Sequence, residues 1–488
     1  MPRLNSILVK NLTDIKTPTY DRQATKAGIV HLGIGAFHRA HQAWYTNWVM
    51  NEMGGDWAII ACSLRSDTVY QQMAEQDFLY TVLERSTKDK AEIIGSVSQV
   101  LVGPQSPQAI MAAIAEPNIK IISLTVTEKG YCHNPATGQL NFEHPDIVHD
   151  LAHLNEPQSA IGYIVAGLRQ RQENNLPGLT VMSCDNLPSN GQVTKRCVIQ
   201  FAEAVSATLA QWIKENVTFP STVIDRIVPA TEESDIALLE SRLGYRDEAM
   251  VVAEPFSQWI IEDNFACGRP EWERVGAQLV ADAEIYELIK LRLLNGTHSL
   301  LAYTGYLAEK VAIADVMRDP VLKKVCTAFM RSAASTITPP EDFDIELYQK
   351  QLHERFANPG LKHRTWQIAM DGSQKIPQRW LSTLDDIIET NGDIRFFAFA
   401  LAAWMKYISG TDEQGRAIKV SDPLADDFHL ISSQYFTTLS EYVSRIFALK
   451  SIFSEKLIST KNLELFTIEY LREININGTL ATVKKLLQ

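Results

Sequence analysis

Residues 29–39, IVHLGIGAFHR, place two glycines between an apolar run and a helix-forming stretch. Gly33 permits a tight turn. Gly35 lets backbone amides approach a pyrophosphate, whose charge the following helix N-terminus favours. The third glycine of the usual GxGxxG fingerprint is absent, and His38 stands in its place. On this reading Gly33, Ile34, Gly35, Ala36, Phe37 and His38 form a dinucleotide-binding turn. The plain alternative is a tight turn with no ligand.

Outward from this turn, short apolar runs alternate with helical stretches. Residues 57–64 (WAIIACSL), 119–126 (IKIISLTV) and 179–184 (LTVMSC) read as buried strands, continuous and β-rich as parallel strands covered on both faces tend to be. Residues 40–53 and 108–114 read as helices between them. The alternation predicts an α/β sheet with right-handed crossovers. From about residue 283 the texture changes to long helical patterns, at 284–310, 320–335, 345–356 and 394–408, with no convincing strand. The predicted organisation is a Rossmann-like dinucleotide-binding domain at 1–283 and a mostly helical substrate and catalytic domain at 284–488.

Composition narrows the function classes. The 488 residues, 45% apolar and 21% charged, suit a soluble protein of two domains. A net charge of −12 argues against non-specific nucleic-acid binding, which needs a basic face, but leaves room for a local basic pocket. Six scattered cysteines without a CxxC pair argue against a disulfide framework or a structural zinc site, and fit a reducing compartment. Residues 1–16 contain no apolar signal core. The apolar run 396–405, between Arg395 and Lys406, is too short to span a bilayer and reads as a buried helix. A cytoplasmic protein without metal, membrane or nucleic-acid partner is expected.

Arg65 and Asp67 follow the second strand, where a ribose-reading acid belongs. Asp67 suits ribose hydroxyls and NAD. Arg65 suits a 2′-phosphate and NADP, or stacks on adenine. Both are otherwise ordinary loop charges.

Residues 287–298, ELIKLRLLNGTH, carry the chemistry. At ~100° per residue, Glu287, Lys290, Asn295 and His298 share an arc of roughly 140° with Leu291 and Leu294, so the arc is no solvated face. Burial lowers a lysine's pKa toward general-base range. Asn295 can donate to a developing alkoxide, His298 can orient hydroxyls, and Asn295-Gly296 is placed to break the helix. A lysine that snorkels outward and a capping asparagine are the alternative. Residues 125–131 (TVTEKGY) and 183–186 (SCDN) both follow predicted strands, where open α/β sheets bind ligands. Asn186 would pair with Asn295 on the substrate oxygen; otherwise Asp185 and Asn186 are turn formers.

The segments HLGIGAFHRAHQA, LTVTEKGY, VMSCDN, DRIVP and EPFSQWIIEDNF, with the Lys290-x4-Asn295-x2-His298 signature, resemble the polyol-specific long-chain dehydrogenases, along nearly the whole chain. This family includes mannitol 2-dehydrogenase and the hexuronate reductases. The resemblance implies a metal-independent NAD(P)-dependent oxidoreductase, often a monomer. It implies Lys290 as general acid/base, Asn186 and Asn295 as holders of the reacting oxygen, and His298 as the signature histidine. Glu287 would pass protons to solvent, and Glu128, with Lys129 beside it, would line the nicotinamide side. Asp225 and Arg226 of DRIVP are assigned to the substrate.

Residues 259–265 (WIIEDNF) and 363–379 (HRTWQIAMDGSQKIPQR) point within the family toward the hexuronate reductases. His363, Arg364, Lys375 and Arg379 would supply the cation that a uronate carboxylate wants, although some of them would face solvent or cofactor phosphates. The implied reaction is hydride transfer between NAD(P)H and the C5 ketone of D-fructuronate, giving D-mannonate. Tagaturonate/altronate and mannitol/fructose remain open, as does a silent nucleotide-binding regulator. A zinc alcohol dehydrogenase is disfavoured, because the close pair His38 and His41 has no cysteine cluster beside it.

Overall fold

The computed structural model describes all residues except Thr87, Pro135, Ala136, Asp342 and Lys362, and of Lys461 only the backbone. The chain divides into two units, Met1–Glu284 and Ile285–Gln488.

In the first unit the apolar runs become strands β1 (Ala27–Leu32), β2 (Ala58–Ser63), β3 (Val97–Val102), β4 (Ile121–Leu124) and β5 (Thr180–Ser183). They form one parallel sheet in the order β3-β2-β1-β4-β5. Alternate side chains of each strand enter different cores. Val30, Leu32, Ile60, Ile122 and Val181 join one, packed with helices Pro107–Ile114, Ala160–Glu173 and Asn190–Val205. Ile29, Ile59, Ala61, Ile121 and Met182 join the other, beneath helix Gln42–Met53. Burial on both faces explains why the central runs are continuous rather than alternating. The edge strand β3, VSQVLV, is only partly covered, and sequence reading does not assign it.

Two three-stranded sheets in this unit are likewise unforeseen. One orders Gln278–Val280, Gln258–Glu262 and Thr222–Asp225; the other orders Lys90–Ile94, Tyr80–Glu84 and Val251–Ala253. Their strands hold three to five residues, too few to show a clear period.

The second unit is helical around one core. Helix Pro320–Ala334 starts on a proline, and Asp319 accepts from Val321 N at 3.0 Å. Helix Ile345–Phe356 is capped by Asp344, which accepts from Leu347 N at 2.8 Å. Helix Arg395–Ile408 is buried at every residue from Phe397 onward, as the apolar run suggested. No helix of the described residues is long and apolar enough to cross a membrane.

The predicted helix at 284–310 is composite: Glu284–Ile289, a π-helical turn Lys290–Asn295, then Gly296–Leu307. The break expected at Asn295-Gly296 is absent, since both residues keep right-handed helical angles. A second π-helical turn, Pro377–Leu381, packs against the first. Trp380 Nε1 donates to Gly296 O at 2.9 Å, and a Cβ on Gly296 would lie 3.0 Å from Arg379 O. Glycine is thus used here for close approach rather than for helix breaking. A π turn advances each residue by less than an α turn, so the arc derived for a regular helix does not carry over.

Candidate active site

In the first unit, Gly33 ends β1 with φ +102°, and a Cβ there would sit 2.2 Å from Thr125 O, so the turn admits only glycine. Gly33 N and Ile34 N donate to Cys62 O at 2.9 and 3.2 Å. Gly35 precedes helix Ala36–Ala40, and a Cβ on it would meet nothing closer than 4.0 Å. The turn opens on a cavity of about 290 Å³ whose lining includes Gly33, Gly35, Leu64, Arg65, Thr125 and Val126. It lies beyond the carboxyl ends of β1, β2 and β4, where the strand order reverses. That is the crevice in which open α/β sheets bind dinucleotides.

Around this crevice Arg65 is exposed and pairs with Asp146 at 2.5 Å. Asp67 accepts from Gln71 Nε2 at 2.8 Å and Gln105 Nε2 at 3.3 Å. Ala36 and Phe37 are half-buried, and Glu128 and Lys129 are exposed on the turn Glu128–Tyr131. Asp185 organises that loop. It accepts from Val126 N and Thr127 N at 2.9 Å and from Tyr131 Oη at 2.8 Å. Burial pushes its carboxyl pKa up, and those donors oppose the shift. Sequence reading took Asp185 as a turn former and missed this role; its place after a buried strand was the available signal. Asn186 beside it is exposed, and Asp225 is buried at the end of its strand.

Two assignments are corrected here. The His38 side chain is fully buried, stacked on His31 with centroids 3.3 Å apart, so it faces the core rather than a cofactor. Arg226 is buried and committed to protein partners: Ala40 O at 2.6 Å, Glu254 O at 3.0 Å, Glu84 at 2.6 Å and the face of Trp44. It is a structural tie, not a substrate ligand. Cys132, His144 and Asp146 bring potential ligand atoms within 4.8 Å of one another, and Asp146 already carries Arg65.

In the second unit, the buried Lys290 opens the first π turn, Glu287 is half-buried one turn earlier, and the half-buried Asn295 closes it. Arg292 points elsewhere, to Thr336 O at 3.0 Å and to Asp386. Asn295 O accepts from Arg379 at 3.3 Å, and Arg379 also reaches Ser299 Oγ at 3.0 Å. His298 stacks between Phe356 and His363, each 5.3 Å away, and its Nε2 is buried with no partner. Burial holds the His298 pKa well below the usual value, and the charges of His363, Arg379, Arg355 and Lys375 push it the same way. Burial, with Arg355, also lowers His363 to about 4. Both rings are therefore neutral at pH 7.

The structure thus gathers His363, Lys375 and Arg379 around His298. Arg364 is exposed at the start of helix Thr365–Ile368. Lys375 Nζ also donates to Met370 O at 2.6 Å. The buried Arg355 is the group that sequence reading missed. Its signal was an arginine on the apolar stripe of Tyr348, Leu352 and Phe356, the buried face of helix Ile345–Phe356.

The sequence matches the mannitol dehydrogenase Rossmann domain over residues 27–274 and the mannitol dehydrogenase C-terminal domain over 282–469. It is 45% identical to the D-mannonate oxidoreductase of Escherichia coli K12, covering 93% of this chain and 94% of the relative. It is 39% identical to a mannitol 2-dehydrogenase of Aspergillus fumigatus, covering 96% and 95%. The Pseudomonas fluorescens mannitol 2-dehydrogenase, solved as a ternary complex with NAD and D-mannitol, superposes with a TM-score of 0.87 at 36% identity, covering 99% of both chains.

Proposed function

The chain belongs to the mannitol dehydrogenase family of oxidoreductases, and from that membership we propose that it reduces a hexuronate ketone with NADH, D-fructuronate to D-mannonate. The observation that carries the substrate class is a cluster of cations, the buried Arg355 with the half-buried Lys375 and Arg379, whose charges act on a neutral His298. Cations held near a neutral ring in a poorly solvated site favour an anionic ligand. Mannitol and fructose offer no such charge, whereas a uronate carries one carboxylate.

Residues of the first unit fit the cofactor. Gly33 and Gly35 leave the turn without side chains over the crevice, and Arg65 lines the same 290 Å³ cavity. When bound, NADH supplies the hydride. Asp67 would take the ribose hydroxyls, with Arg65 beside it, and Glu128 and Lys129 would border the nicotinamide side. Lys290 in its ammonium form gives a proton to the oxygen that gains charge as the ketone carbon is reduced. Within the second unit, Asn295 would donate an N–H group to that oxygen. The unpartnered Nε2 of His298 meets a substrate hydroxyl, and Glu287 would return a proton to Lys290 from solvent. The net reaction consumes one NADH and one proton per ketone. In the oxidation direction, neutral Lys290 is the base.

The test is NADH oxidation with D-fructuronate, D-tagaturonate and D-fructose at matched concentrations. D-Fructuronate is expected to turn over fastest, with the neutral ketose at least about 100-fold lower in kcat/KM, a difference one lost charge-assisted contact can produce. Lys290→Ala should lose at least about 1,000-fold in kcat and keep its NADH affinity. Equal turnover of fructose and fructuronate would overturn the substrate, and near-normal activity of Lys290→Ala would overturn the mechanism.

A further inference from the structure

The fingerprint turn contains a polar device that the family reading leaves unused. His31 lies in β1, wholly buried, opposite Ser123 of β4 in the strand register. Its Nε2 faces Gly33 O at 3.1 Å, and a carbonyl can only accept, so Nε2 carries the ring proton. Nδ1 is then the acceptor and takes the Ser123 hydroxyl at 2.8 Å. Thr125 Oγ1 also donates to Gly33 O, at 2.7 Å, and lies 2.9 Å from His31 Nε2. Gly35 N reaches the same oxygen at 2.7 Å. Three donors converge on one carbonyl, that of the residue whose φ is +102°.

Helix Ala36–Ala40 locks this arrangement from above. In the usual fingerprint the third glycine lets helix and strand approach closely. Here His38 occupies that position, and its ring lies on His31 at 3.3 Å, 11° from parallel. Gln42 Oε1 accepts from His38 Nδ1 at 3.3 Å, and Gln42 Nε2 donates to His41 Nδ1 at 3.1 Å. His41 Nε2 in turn donates to Gln258 O at 3.0 Å. Each ring therefore has a fixed tautomer. Burial holds His31 at about 3 and His38 well below its usual value, so the stack carries no charge that would repel itself.

We propose that His31 is a positioning residue for the dinucleotide, which fixes the Gly33 carbonyl and with it the turn that receives the pyrophosphate, while the His38 ring replaces the third glycine as the spacer between helix and strand. This rests on the NAD reading above.

The experiment measures NADH dissociation constants by energy transfer from protein tryptophan to bound NADH. His31→Phe keeps an aromatic ring for the stack and removes the donor. It should weaken NADH binding about tenfold, as expected for one lost buried hydrogen bond, and change kcat at saturating NADH less than about threefold. His31→Gln, which returns an N–H near the Nε2 position, should restore affinity to within about threefold. Thr125→Val removes a second donor to the same carbonyl at nearly equal volume and should also weaken NADH. It serves where His31→Phe does not fold. Folded His31→Phe or Thr125→Val protein that binds NADH within twofold of the unaltered protein overturns the proposal, as does a loss in His31→Gln equal to that in His31→Phe. Failure of the unaltered protein to bind NADH would instead overturn the cofactor reading itself, and this inference with it.

Discussion

Arg226 and Arg355 are both buried arginines, and burial alone does not separate a structural tie from a ligand group. Their surroundings do. Arg226 spends its guanidinium on two backbone carbonyls and Glu84 within the fold. Arg355 has protein partners too, but its charge also acts on two neutral imidazoles, His298 and His363. Arg355→Met should therefore raise the KM for a hexuronate about 10- to 100-fold, leave the weak activity on fructose within about twofold, and leave NADH affinity unchanged. Arg355→Lys should recover part of the loss, because charge is kept and the planar fork is not. Parallel losses on both substrates would make Arg355 structural. The contrast explains what sequence could reveal about single residues. Lys290, Asn295 and His298 stand out because their polarity breaks an apolar helix. Arg226 and His38 stand out as well, but their partners, Glu84 and His31, come from other strands and no local pattern shows them. Arg355 goes unnoticed because one cation at the end of an amphipathic helix resembles a surface residue.

The central strands were readable because their two-faced burial writes continuous apolar runs into the sequence, and the helices of the second unit because their stripes and caps recur. The two small sheets were not readable, since strands of three to five residues are held by pairing partners distant in sequence. Nor was the π turn, after which Gly296 lets the backbone of the 377–381 turn approach closely. One of the small strands has a measurable electrostatic consequence. Glu92, on Lys90–Ile94, accepts from the indoles of Trp44 and Trp48 on helix Gln42–Met53. Burial pushes its carboxyl up to about 7, from 4.5, against the opposing Trp48 hydrogen bond. The folded state thus binds this proton more tightly than the unfolded state does. The resulting stability is present below pH 4.5 and is lost as pH rises through 7. The span corresponds to about 3 kcal/mol. Glu92→Gln keeps an acceptor for the indoles and removes the titration. Melting temperatures of the unaltered protein should fall relative to Glu92→Gln as pH rises from 5 to 8. Parallel pH profiles would show that Glu92 titrates normally.

A net charge of −12 and a cluster of cations about His298 coexist because the first is a sum over the whole chain and the second is local. The same distinction between composition and placement governs the thiols. Six cysteines are all unpaired: five are buried, and Cys267 is half-buried with its Sγ donating to Gly178 O at 3.1 Å. Reaction with a disulfide reagent requires an accessible thiolate. Burial denies access and also pushes the thiols of Cys62, Cys132, Cys184, Cys197 and Cys326 up, Cys132 and Cys197 to about 12. Titration of the native protein at pH 8 should therefore give no more than about one prompt thiol, mapped to Cys267, and denaturant should release all six. A reductant should leave the melting temperature unchanged, since no crosslink constrains the unfolded chain. Peptide mapping extends the measurement to each core. Cys326 belongs to the helical core of the second unit, and Cys62, Cys132, Cys184 and Cys197 to the cores on the two faces of the parallel sheet. Prompt labelling of Cys62 or Cys184 in native protein would mean that the sheet opens beside the dinucleotide turn, because Cys62 O is the acceptor for Gly33 N and Ile34 N. Saturating NADH should slow any such labelling while leaving Cys326 unaffected, since a ligand that binds only the closed turn stabilises that turn against opening.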